Sequence, residues 1–234
     1  MRVDVWSDVV CPFCYIGKRR LEAALAGLPH SDTVEVVWHA FQLLPDLVTD
    51  PTRNAVQNMA ERKGWPMAYA RQVAGQLTAL AAADGLAFHY EQTRVANTFD
   101  AHRLQHFATT QGKGDAMAEA LFKAFFTDGR NIADPDTLAA LASAVGLQES
   151  QAREVLASDA HAEDVRRDID AALQLGVTGV PFFVIDGRYA VSGAQDSSIF
   201  RQALQRALAD PTARERAPAN DMDASACRVD GECP

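Results

Sequence analysis

Cysteine is scarce in this 234-residue chain: there are four, at positions 11, 14, 227 and 233. Two close pairs so far apart do not make a scaffold of structural bridges; in a reducing compartment such pairs point to redox or metal chemistry. Positive charge is also short. Lys and Arg number 22 against 31 Asp and Glu, a net charge of −9, so a phosphate backbone is repelled on average and nucleic acid is excluded as the main partner. No apolar run approaches the ~20 residues needed to cross a bilayer, and no membrane partner is expected. The start, Met1-Arg2-Val3-Asp4-Val5-Trp6-Ser7-Asp8, lacks the basic opening and unbroken apolar stretch of a signal peptide, which predicts a cytoplasmic location. Internal repeats are missing too. What remains is the balance of a soluble globular protein, 48% hydrophobic and 23% charged, of a length that suits one or two domains and buries a core without disulfide staples.

Residues 2–6 alternate polar and apolar, the pattern of a short strand. Pro12 suits the first turn of a helix, where its missing N–H is not needed; Leu21, Ala24, Leu25 and Leu28 keep helical spacing until Gly27 and Pro29 stop it. The β-branched run 33–39 predicts a second strand. From 46 to 175 no convincing strand appears. Alanine-rich stretches at 52–63, 66–84, 95–111, 114–127, 134–145, 149–157 and 161–175 predict helices, and Asp134-Pro135 is a good helix start. Strand character returns at 180–185, Asp186-Gly187 signals a hairpin, 188–191 is the return strand, and a last helix is predicted over 195–209. A β-α-β start and a β-β-α finish around a helical block predict an α/β fold: one mixed sheet, residues 1–45 and 176–209, with an all-helical insertion over 46–175. Residues 210–234 carry six acids, three arginines and little apolar content, the composition of a flexible tail.

Cys11-Pro12-Phe13-Cys14 falls between the first strand and the first helix. The first N–H groups of a helix are unpaired and the dipole adds about half a positive charge there. A thiolate at Cys11 is thereby stabilised and nucleophilic, and Cys14, one turn on, is within reach to resolve a mixed disulfide. Half of a zinc site, or two incidental buried thiols, is the bland alternative. Val180-Pro181 is a second element: proline cannot donate to a sheet ladder, so the bond is either cis, in a tight turn that leaves the residue-180 backbone available, or an ordinary trans bond at an edge.

Ser7-Asp8-Val9-Val10-Cys11-Pro12-Phe13-Cys14-Tyr15-Ile16-Gly17-Lys18 resembles the active-site segment of DsbA-family thiol–disulfide oxidoreductases, in particular the cytoplasmic FrnE-like branch. Residues 176–185 resemble that family's cis-proline segment, 191–195 its last strand-to-helix corner, and 96–104 a helix-start motif of its helical domain. The resemblance covers about 2–209. It implies a thioredoxin-like mixed sheet with an inserted helical domain, a catalytic disulfide of Cys11 and Cys14, a cis Pro181 facing them, and substrate contacts from Pro12, Phe13 and Val180. It implies protein thiols and disulfides as substrates, a small-thiol or thioredoxin-type reductant, and no tightly bound organic cofactor. Periplasmic members have histidine where this chain has Phe13. A phenylalanine cannot hydrogen-bond a thiolate, so the pair is expected to be less oxidising and as fit for reduction or isomerisation. A neighbouring branch of the same fold, the kappa-class glutathione transferases and 2-hydroxychromene-2-carboxylate isomerases, has serine in place of Cys11 and is the alternative.

Cys227 and Cys233, with five residues between them including Gly231, are an auxiliary dithiol that exchanges with Cys11 and Cys14, or else exposed thiols or a zinc half-site. A flexible 17-residue tether spans about 23 Å. His102 and His106 share a helix face at i, i+4 but lack a third ligand, and no metal is expected. His39 lies near a sheet end. Asp8 is a turn or capping residue with a proton-transfer role open to it. Trp6, Trp38 and Phe182 belong to the core, and Phe13 and Tyr15 are expected to offer an aromatic surface beside the site.

Overall fold

The computed structural model describes residues 1–29, 33–209 and 227–228. The chain forms two units, Met1–Leu43 with Ala162–Pro234, and Leu44–His161.

In the first unit, β1 (Arg2–Ser7) lies parallel to β2 (Glu35–Ala40) and antiparallel to β4 (Phe182–Ile185), with β5 (Tyr189–Ser192) beyond it, in the order β2-β1-β4-β5. Parallel neighbours need a crossover, and α1 (Pro12–Ala26) supplies it. The expected mixed sheet is therefore present. Alternation along β1 sends Val3 and Val5 to one face and Asp4 and Trp6 to the other. On the first face Val5 lies opposite Trp38 and Phe183. Lys18 of α1 sits 5.8 Å over the Trp38 ring, and Phe183 meets Phe200 of α9 (Ser197–Ala209) edge to face at 4.7 Å. On the second face the Trp6 ring stacks on His39 at 4.6 Å, and its Nε1 donates to the Asp168 carbonyl of α8 (Ala162–Gln174) at 3.0 Å. Trp6 and Trp38 are core residues as expected, while Phe182 is half-buried.

The expected strand over 180–185 divides in two. Pro181 separates β3 (Gly179–Val180) from β4, and the Val180–Pro181 peptide is cis. Asp186 and Gly187, with φ of 51° and 65°, make the hairpin turn to β5.

The second unit holds α2 (Ala55–Lys63), α3 (Met67–Ala83), α4 (Phe99–Thr110), α5 (Gly114–Phe126), α6 (Pro135–Ala144) and α7 (Glu149–Leu156), each inside its predicted stretch. Asn54 caps α2 with a reciprocal bond to Gln57, and Asp134 caps α6 by accepting from Thr137 N. The 96–104 motif acts within this unit. Asn97 Nδ2 donates to the Pro45 and Leu47 carbonyls at 3.0 Å each. The buried Arg103 donates to the carbonyls of Val155, Ser158 and Ala160, closing the end of α7. His102 is buried beside it, and no metal-binding cluster occurs among the described residues.

Two boundaries differ from the sequence reading. The helical unit runs 44–161 rather than 46–175 because α8, helical in composition like the insertion, packs on β2 and bonds the sheet through Asp168. Second, Cys227–Arg228 form β6, antiparallel to β3, with Val180 opposite Cys227 and Gly179 opposite Arg228. The tail's composition gives no hint of this, since the ladder partner lies elsewhere in the chain. Cys233 lies outside the described residues.

Candidate active site

β1 ends at Ser7, whose carbonyl accepts from Phe41 N at 3.0 Å. A turn follows: Cys11 N donates to the Asp8 carbonyl at 3.0 Å, and Cys14 N to the Cys11 carbonyl at 3.1 Å. Cys11 is the N-cap of α1 in extended conformation and Pro12 is the first helical residue. The sequence thus puts the first cysteine at the electropositive end of the helix and the second inside its first turn. The Asp8 carboxylate is buried and accepts from Leu43 N at 2.8 Å. That fixes Asp8 as a joint between the β1–α1 turn and the segment after β2.

Cys11 and Cys14 are free thiols, both at 0% exposure. The Cys11 thiol donates to the Val180 carbonyl at 3.4 Å, so the structure brings together three of the expected site residues, Cys11, Cys14 and Val180, with Pro181 next in the chain. Burial pushes the Cys14 thiol well above its ordinary pKa, and its hydrogen bond to the Cys11 sulfur pushes it the same way. The Ser7 hydroxyl and the Asp8 backbone N–H act against this by donating to the Cys14 sulfur. Pro12, Phe13 and Tyr15 are buried. Phe13 and Tyr15 therefore do not offer the exposed aromatic surface expected beside the site.

Cys227 also stands at the site. Its backbone pairs with Val180, it is fully buried, and it is disulfide-bonded. Its bonded state agrees with the expected tail disulfide, and the alternative of an exposed thiol does not hold for Cys227.

The sequence reading gives no separate role to three positioning residues, two of which, Gly17 and Gly193, lie inside the motifs it quotes. Gly17 faces Pro181 and Phe183: a Cβ there would lie 3.1 Å from Pro181 Cγ and 3.1 Å from Phe183 Cζ. The available signal was a glycine inside a helix, where it costs about 1 kcal/mol relative to alanine and so marks a close approach. Gly193, at φ 78°, donates its N–H to the Pro181 carbonyl at 2.8 Å. Arg20 donates to the Ala194 carbonyl at 2.6 Å, tying α1 to the same corner. This accounts for the 191–195 motif.

His39, on β2, lies between two carboxylates: Nδ1 donates to Asp168 at 2.8 Å and Nε2 to Asp4 at 2.7 Å. Burial alone would depress its pKa, but these partners raise it to about 9. Asp4 is shifted the opposite way: burial raises it, and bonds to His39 and Arg2 bring it below its ordinary value. The cluster ties α8 to the sheet.

The DSBA-like thioredoxin domain profile matches residues 2–205. The chain belongs to the DsbA-like thioredoxin family. A probable DsbA oxidoreductase from Streptomyces coelicolor superposes with a TM-score of 0.83 at 42% identity, over 99% of this chain and 97% of that one. The uncharacterized protein YwbO of Bacillus subtilis is 31% identical over 217 residues, 87% of this chain and 96% of its own length. At 19% identity, 2-hydroxychromene-2-carboxylate isomerase shares the fold, with a TM-score of 0.65 over 91% of this chain and 100% of that one. The fold is the DsbA-like thioredoxin fold with a helical insertion, and the chain is an oxidoreductase of that family. Among the described residues no helix is long and apolar enough to cross a membrane.

Proposed function

We propose that this DsbA-like protein is a cytoplasmic thiol–disulfide oxidoreductase and isomerase of the FrnE-like branch, acting on protein disulfides through Cys11 and Cys14. The observation that carries the reading is the free Cys11 thiol at the start of α1, in contact with the Val180 carbonyl and beside Cys14. The Cys11 thiolate attacks one sulfur of a substrate disulfide, and the other sulfur leaves as a thiolate. Cys14 gives up its proton and attacks Cys11 Sγ, releasing the second substrate thiolate and leaving a Cys11–Cys14 disulfide. The raised pKa of Cys14 holds it protonated until that point, and the Ser7 hydroxyl and Asp8 N–H stabilise its thiolate as it forms. A small-thiol or thioredoxin-type reductant returns the pair to dithiol; the reverse sequence oxidises substrate thiols. Phe13, unable to hydrogen-bond a thiolate, favours the reducing and isomerising directions. Two adjacent thiols suit exchange better than activation of bound glutathione, which the alternative branch performs with a serine.

Cys11→Ser is expected to abolish insulin reduction and Cys14→Ser to trap mixed disulfides with substrate, read by mass spectrometry. Full insulin reduction by the Cys11 variant overturns the assignment.

The tail cysteines form part of the same proposal. Cys11 attacks Cys227 Sγ, its former partner, assigned as Cys233, leaves as a thiolate, and Cys14 then releases Cys227. The net change oxidises the Cys11–Cys14 pair and reduces the tail. The pairing of Cys227 with Val180 supports this. A Cys11–Cys227 adduct is expected in the Cys14→Ser chain. Its absence, with unchanged turnover in Cys227→Ser/Cys233→Ser, makes the tail pair a bystander.

A further inference from the structure

The edge of β3 at Gly179–Val180 lies where Val180 also meets the Cys11 sulfur, and it is already taken. Arg228 lies opposite Gly179 and Cys227 opposite Val180. Cys11 itself has no exposed surface. An external disulfide that reached Cys11 while its backbone paired with Val180 would need the position that Cys227 holds.

We propose that Cys227–Arg228 act as a built-in competitor on the β3 edge, so that a protein substrate reaches Cys11 only by displacing them. The proposal rests on the oxidoreductase reading and adds its control. The register defines the ligand: a strand antiparallel to β3, its cysteine opposite Val180 and the next residue opposite Gly179, where no side chain projects from β3 to meet it. Strand addition of this kind draws affinity from main-chain hydrogen bonds, so it accepts many sequences provided the cysteine is in an extended segment. The resident strand is short and its partner is a two-residue edge. Because it belongs to the same chain, its binding is intramolecular, and it adds the burial of Cys227 to the short ladder. Such a competitor excludes dilute proteins and yields to an unfolded chain presenting several cysteines.

The test uses the full chain. Arg228→Pro removes an N–H and is disfavoured in a ladder, whereas Arg228→Ala keeps the backbone. Two rates are read on the reduced protein: maleimide alkylation mapped to the Cys11 peptide, and kcat/KM for reduction of a cysteine-bearing peptide disulfide. Arg228→Pro is expected to raise both about tenfold, as for a site open about one-tenth of the time, and Arg228→Ala to leave both within about twofold. A synthetic peptide of residues 221–234 with both cysteines replaced by serine should slow both rates again in the Arg228→Pro chain. Unchanged Cys11 alkylation in Arg228→Pro, or no protection by the peptide, overturns the strand-binding site. If alkylation responds as expected while no variant reduces a disulfide, the strand site stands and the oxidoreductase reading falls. If all variants reduce the disulfide at one rate and Cys11 alkylation is unchanged in Arg228→Pro, the oxidoreductase reading stands and the strand site falls.

Discussion

At the scale of single residues the site depends on an approach between helix and turn that only glycine permits. Gly17→Ala adds a methyl group at 3.1 Å from both Pro181 Cγ and Phe183 Cζ. Phe183 is fully buried against Phe200 and has little room to yield, so the Pro181 turn must move by a few tenths of an ångström away from α1. The helix gains about 1 kcal/mol in propensity and loses a similar amount to overpacking, so stability should change by about 1 kcal/mol or less. The rate at which Cys11 forms a mixed disulfide with a peptide should fall about tenfold, since reacting groups tolerate little misplacement. Stopped-flow mixed-disulfide formation beside urea unfolding checks this; equal losses in both would show packing alone. Cys11, Cys14 and Pro181 were legible in the sequence because their residue types advertise their chemistry. Gly17 and Gly193 were not singled out, because what they do is set by atoms about 165 positions away or, for Gly193, by a backbone angle and a carbonyl 12 residues upstream.

At the scale of elements, α8 is joined to β1 and β2 by a cluster whose charge state is set by the fold. His39 in the unfolded chain titrates near 6.5 but is held to about 9 in the folded one. The folded state therefore binds this proton more tightly. Its contribution to stability is complete below pH 6.5 and disappears as pH rises through about 9. Two and a half units correspond to about 3 kcal/mol, of which about 2–3 should remain after solvent screening. Urea unfolding between pH 6.5 and 9 should show this loss in the parent chain and a flat, lower profile in His39→Asn; parallel profiles would remove His39 as the cause. On the acid side, stability should fall as Asp4 protonates below its ordinary range. The periodicity of α8 was legible, but its allegiance was not. An amphipathic helix of this composition serves an insertion or a sheet equally well, and only the pairing of Asp168 with His39 and Ala40 N decides. β6 was illegible for a related reason: two residues paired to a distant edge carry no pattern of their own.

At the scale of the whole molecule, the order of the chain differs from the order of the sheet. Val3 pairs with Ile185, and the helical unit 44–161 lies between them in sequence. A ribosome therefore releases β1 long before its antiparallel neighbour β4 exists. Closing so long a loop is slow when the intervening chain is unfolded. The insertion is rich in local helix contacts and can form early, and once compact it brings its two ends closer than an unfolded chain of the same length would. The insertion then has a task in biosynthesis as well as in the finished protein: it is the brace that lets a strand wait for its partner. Pulse-labelling hydrogen exchange during refolding should show amides of α4 and α5 protected before those of Val5 and Phe183. A single phase that protects all of them together would give the insertion no such lead. While β1 waits, its alternating apolar face is exposed, and the interval before β4 arrives is when the nascent chain is most open to aggregation.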